Sequence, residues 1–174
     1  MHGRIFAYTT VDIIANPQAA DDLRLATPEA IYEDIPDAVD YVVDSDLVAD
    51  LPALQEIIGM QPETATAPLL DPEKPSFVAV LRGKRIQEMR SHLRRRAVER
   101  VSAVRKMLTL DANDPQLIPR MHRASELLWP KYRIYLCCCD PQDNFVGNEL
   151  EFLRHLEITN PKVVIFIWSY DYHL

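Results

Sequence analysis

The sequence predicts a single α/β domain: a small, largely parallel sheet with a C-terminal βαβ unit, covered by one long basic amphipathic helix and several shorter ones. Three observations lead there. Tyr132 to Cys139 and Val163 to Tyr170 are near-continuous apolar and aromatic runs, the pattern of strands covered on both faces. Between them Asn148 stands where a helix N-cap belongs and Glu151 completes a capping box, so Glu149 to Ile158 reads as a crossover helix joining two parallel, neighbouring strands. Ile86 to Leu110 carries apolar residues at helical spacing over about 25 positions, a rod of roughly 37 Å.

Taken in chain order, Arg4 to Thr9 is aromatic and β-branched enough for a first strand, and Asn16-Pro17 stops any continuation of it. Thr27-Pro28-Glu29 has the hydroxyl, proline and acid of a helix start, and Pro36 keeps that helix short. Asp37 to Asp44 reads as a further turn or two of helix with Val39, Val42 and Val43 inward. Asp46 to Ile58 reads as another, with Leu47, Leu51, Leu54 and Ile58 on one stripe and Gly59 as its C-cap.

Pro62, Pro68, Pro72 and Pro75, with no glycine among them, make 61–75 an extended, stiff connection between an acidic layer over 1–60 and the remainder, 76–174. A layer that small is marginal as an independent domain, so one core built from both sides of the connection is expected over 1–174. Phe77 to Leu81 followed by Gly83 reads as strand, turn, helix. In the long helix Ile86, Met89, Leu93, Ala97, Val101, Val104 and Leu108 form the apolar stripe, with Lys84, Arg95 and Lys106 opposite. A further helix opens near Asp114-Pro115, closes at Trp129-Pro130, and turns Leu117, Met121, Ala124 and Leu128 inward.

The net charge of −7 hides three blocks. Met1 to Pro75 holds 15 acidic against 3 basic residues, Ser76 to Leu110 holds 10 basic against 2 acidic, and Asp111 to Leu174 is mildly acidic. Segregation on this scale points to binding surfaces or to internal pairing. Asp37, Asp40 and Asp44, then Asp46 and Asp50, recur at helical spacing and would line an acidic face able to dock a basic patch or occupy a nucleic-acid-binding protein. Lys84, Arg94, Arg95 and Lys106 would form a basic face, answered either by a phosphate backbone or by the acidic block of the same chain. Internal pairing is the leading reading, with Arg96 and Arg100 mattering most because they border the apolar stripe.

No catalytic constellation is assembled. The four glycines belong to no phosphate-binding fingerprint, and Arg82-Gly83-Lys84-Arg85 is only a weak anion-binding candidate. Cys137, Cys138 and Cys139 cannot form a disulfide framework, and on a strand the middle one faces away from its neighbours, as core residues do. Nothing calls for a cofactor. One alternative uses the carboxyl ends of the predicted parallel strands, where Asp140 and Asp143 follow the first strand and Asp171 and His173 end the second; oxygen ligands with one imidazole suit a divalent metal.

The leading expectation is therefore a non-enzymatic, regulatory interaction protein with a protein partner, with nucleic acid as a possible partner of the basic helix. A small enzyme or a metal- or ligand-binding domain is the alternative. No stretch is apolar enough to span a membrane, and the opening residues show no export-signal pattern, so a cytoplasmic location is expected.

Overall fold

The computed structural model of the chain describes residues 2–24, 41–67, 69, 76–108, 113–128 and 134–173. Among these residues lie a seven-stranded sheet and four α-helices. The strands are β1 His2–Thr9, β2 Tyr41–Ser45, β3 Glu63–Ala67, β4 Ser76–Arg82, β5 Ile134–Cys138, β6 Val146–Gly147 and β7 Val163–His173. The helices are α1 Leu47–Ile58, α2 Lys84–Leu108, α3 Leu117–Leu128 and α4 Glu149–Thr159.

The sheet runs β3-β4-β7-β1-β5-β6, with β2 also on β7. The long apolar strand β7 is its axis. It pairs antiparallel with β1 along one edge, and with β4 and then β2 along the other. Among the described strands only β1 and β5 run parallel. The expected largely parallel sheet with a C-terminal βαβ unit is thus corrected to a mostly antiparallel sheet. β5 and β7 are not neighbours, because β1 lies between them, and they point in opposite directions.

The reason lies in what covers the sheet. On one face Phe6, Tyr8, Leu136, Val164 and Phe166 meet Leu54 of α1, Met89 and Leu93 of α2 and Phe152 of α4. On the other face Ile13, Ala20 and Leu23, from the segment after β1, join Leu69 in covering Ile5, Ala7, Tyr135 and Ile165. Burial on both faces gives an antiparallel central strand the apolar run usually seen in parallel sheets. A bulge adds to the effect: Ala7 faces Trp168 but Tyr8 faces Phe166, so β7 carries one extra residue, and Trp168, Tyr170 and Tyr172 turn to the same face as Ile165 and Ile167.

The helix-end signals are found where the sequence puts them. Asn148 accepts from the N–H groups of Leu150 and Glu151, and Glu151 accepts in return from the Asn148 N–H. Gly59 closes α1 with φ 74°, and Gly83, with φ 52°, turns β4 into α2. Residues 41–45, expected in a helix over 37–44, form β2, since the adjacent β-branched Val42 and Val43 suit a strand on the far end of β7. Part of the expected connection over 61–75 is the paired strand β3, while 68 and 70–75, the expected helix start at 27–36, and 37–40 lie outside the described residues. No helix among the described residues is long and apolar enough to cross a membrane.

Candidate functional site

The described residues among the acidic set picked out by spacing do not share one helix. Asp46 is the N-cap of α1 and accepts from the Val48 N–H. Asp50 is buried, where it accepts from Arg4 Nε at 2.9 Å and Ser45 Oγ at 2.7 Å. Asp44 sits in β2, where helical spacing no longer relates it to the others, and Asp37 and Asp40 lie outside the described residues.

The arginines along the first part of α2 are engaged within the chain. Arg94 meets Glu157 at 2.6 Å, while Arg96 and Arg100 converge on the two oxygens of Glu149 at 3.1 and 3.2 Å. Arg90 is buried with its guanidinium on Asn160 Oδ1 and the Leu156 carbonyl. These partners belong to α4 and its C-cap. Among the described residues, pairing with the acidic N-terminal block consists of Arg82 with Asp12 at 2.7 Å, Arg85 with Glu63 at 3.2 Å and Arg96 with Glu56 at 3.8 Å. Lys84 is exposed and pairs with Glu88 one turn on, so each cation of the Arg82-Gly83-Lys84-Arg85 run has a carboxylate of its own. Arg95 is exposed, 3.0 Å from His92 Nδ1, and Lys106 is exposed near the far end.

Past Arg100 the surroundings change. Val104 and Ala124 are buried and mark the seam between α2 and α3, but Val98, Val101, Ile118 and Met121 are 68, 53, 80 and 52 % exposed. Met121, expected on the buried face, thus lies outside it. At about 100° per residue, Val101 and Val98 are rotated about 60° and 120° from Val104, and Met121 and Ile118 by the same angles from Ala124. α2 and α3 pack against each other, and the eight residues between them favour an antiparallel pair, an arrangement in which equal rotations bring both pairs to one face. The side chains of Arg105, Arg120 and Arg123 make no hydrogen bond or ion pair among the described residues.

The proposed metal quartet is divided by the sheet. Asp171 lies beside Arg4, which its carboxylate meets at 2.6 Å, and His173 ends β7 opposite His2. Asp140 lies past the other end of β1, roughly 16 Å away at ~3.3 Å per residue. It is fully used there, accepting from the Thr9 hydroxyl and from the N–H and hydroxyl of Thr10, which ties the ends of β1 and β5 together.

Asp143 has different company. Its Oδ1 accepts from the Phe145 N–H at 3.0 Å, and its Oδ2 is 3.0 Å from Nε2 of His155 on α4, whose ring stacks on Phe145 at 4.4 Å. The Cys138 thiol completes a group in which sulfur, carboxylate oxygen and imidazole nitrogen all lie within 4.8 Å of one another. Tyr8, wholly buried beside them, has a hydroxyl with no hydrogen bond of good geometry. Burial, reinforced by the charge of Cys138 and Asp143, pushes the Tyr8 hydroxyl far above its ordinary value. Burial likewise raises Cys138; the charges of Asp140 and Asp143 add to the rise, and the Asp140 N–H and the Tyr8 hydroxyl oppose it. A thiol, an imidazole and a carboxylate together resemble the parts of a thiol catalyst, but this sulfur is buried and its pKa is raised, whereas an activated thiol is exposed and lowered.

Comparison with family models, curated proteins and solved structures gives no match. Function must therefore be argued from the geometry. The sequence offered two signals that went unused. His155 lies one turn after Phe152 and one before Thr159 on a helix whose inward positions are Phe152, Leu153 and Leu156, so its ring sits at the edge of the apolar face. Tyr8 lies in the first apolar strand with its phenol committed to the same side as Phe6. What spacing could not supply is that β1, β5 and α4 meet at this point.

Proposed function

We propose that this chain is a non-enzymatic binding protein that docks an acidic, partly apolar protein surface on the outer end of the α2–α3 pair. The observation that carries the reading is the coincidence of four exposed aliphatic or thioether side chains, Val98, Val101, Ile118 and Met121, with three arginines that meet no acidic partner among the described residues. Apolar area at the centre of such a surface supplies a driving force of about 25 cal/mol per Å² removed from water, against which the lost freedom of the two partners is set. Arginines around it favour an acidic partner, whose carboxylates they grip in a forked geometry, and they speed encounter. A protein fits better than a nucleic acid, because phosphate contacts make no use of exposed aliphatic side chains whereas the centre of a protein interface does. The net charge of −7 weighs the same way.

The test is retention of partners from a lysate of the source cells by the wild type, by Val101→Ser/Ile118→Ser and by Arg105→Gln/Arg123→Gln, with and without nuclease and across a salt series. The expected result is a protein that survives nuclease, is released as salt rises and is lost with both variants. Retention abolished by nuclease, or unchanged in both variants, rejects the reading. A dimer in light scattering that Val101→Ser/Ile118→Ser dissociates would give the face to a second copy of the chain instead.

A further inference from the structure

We infer that Cys138, Asp143 and His155 form a binding site for one divalent transition-metal ion, with zinc the best match to their donor set. The three side chains come from β5, the loop after it and α4, yet their sulfur, oxygen and nitrogen atoms lie within 4.8 Å of one another. Ligands of one tetrahedral zinc stand about 3.4–3.6 Å apart, from Zn–S of ~2.3 Å and Zn–N and Zn–O of ~2.0–2.2 Å, so small side-chain rotations close the set. Thiolate with imidazole disfavours calcium and magnesium, which take oxygen, and suits zinc.

Two further observations point to a shared ligand. His155 Nε2 and Asp143 Oδ2 are 3.0 Å apart, but the ring nitrogen is buried and makes no hydrogen bond of acceptable geometry. A plain histidine–carboxylate pair would align its N–H on the oxygen. Two ligands of one zinc ion stand only slightly farther apart, at about 3.4 Å, with their lone pairs aimed at a third position. The second observation is the orphaned Tyr8 hydroxyl, a donor beside Cys138 that a metal-bound thiolate would accept, together with the Asp140 N–H. Phe145 fixes the imidazole plane from one side, and the partial exposure of Asp143 and His155 gives an ion a way in from solvent. Three protein ligands leave a tetrahedral zinc one further position for water.

Cobalt(II) titration followed by absorbance tests the site, since thiolate–cobalt charge transfer reports sulfur ligation directly. One equivalent should bind with a charge-transfer band in the near ultraviolet and visible bands of tetrahedral intensity, and zinc should displace it. Cys138→Ser should abolish the band, and Cys137→Ser, on the opposite sheet face, should leave it unchanged. Asp143→Asn and His155→Gln, at the partly exposed side, should keep the circular dichroism of the wild type and weaken binding beyond the ~10–100-fold expected for Tyr8→Phe as an outer partner. No saturable band, a band that survives Cys138→Ser, or affinity unchanged in both Asp143→Asn and His155→Gln overturns the inference. Should Cys138→Ser fail to fold, the other two variants decide.

Discussion

Over its first part α2 lies on the sheet, with Ile86, Met89 and Leu93 buried and Arg94 and Arg96 on carboxylates of α4, whereas its outer part exposes Val101 and leaves Arg105 without a partner among the described residues. The two stretches have the same amphipathic repeat and the same arginine-rich composition. What differs is the support beneath them. The strand that feeds the helix, β4, has 7 residues, about 23 Å, while the 25 residues of α2 span about 37 Å. The helix outruns that strand by about 14 Å, or roughly nine residues, which puts the change near Arg100. Periodicity therefore names a face, and the lengths of neighbouring elements decide what covers it.

The largest expected effect separates the two parts directly. Leu93→Ala removes a side chain packed against the sheet and should cost about 2–5 kcal/mol, the range for a buried leucine. Val101→Ala, two turns further on, should stay within about 0.5 kcal/mol. Urea midpoints measure both. Similar costs at the two positions would break the comparison.

A smaller effect is expected where α2 is held by charge. The Glu149 carboxylate accepts from both Arg96 and Arg100 and is itself nearly buried, so Glu149→Gln leaves two guanidinium groups short of a counter-charge at once. A loss of about 1–3 kcal/mol is expected, below that of a fully buried pair because the arginines are partly in water. Glu157→Gln removes only the more exposed partner of Arg94 and should cost about 0.2–1 kcal/mol, shrinking as salt rises. A Glu149→Gln midpoint no lower than that of Glu157→Gln would show that α4 does not anchor the helix.

Much of the local structure was legible, for reasons tied to single residues. Asn148 with Glu151, Gly59, and the turn at Gly83 work through backbone hydrogen bonds within a few residues, so their signals survive any tertiary arrangement. The strand order was not legible. Whether β7 joins β5 or β1 depends on which apolar surfaces meet, and the run from Val163 to Tyr170 looks the same either way. The observed order, with β7 antiparallel to β1, is what separates Asp171 and His173 from Asp140. The expected acidic face meets a related difficulty: Asp50 lies on a helix as its spacing predicts but turns inward to Arg4, and Asp44 lies in a strand. Asp143 alone of the expected metal residues keeps ligand-forming company, and His155 reaches it only through the fold.

The smallest stability change should come from the outer arginines, and there its smallness is the point. Arg105→Gln/Arg123→Gln removes two cations that contact no carboxylate among the described residues, so the urea midpoint should move by no more than about 0.5 kcal/mol. The one internal role open to Arg105 is its position in the last turn of α2, where a cation gains about 0.3–1 kcal/mol from the helix dipole, and glutamine would forfeit part of that. If these arginines are a docking rim, partner retention should fall and its salt dependence flatten while the midpoint holds, because charges at a rim act on encounter and partner choice rather than on folding. A drop comparable to Glu149→Gln would mean that the outer arginines are paired internally after all, and the two parts of α2 would then differ in apolar cover alone.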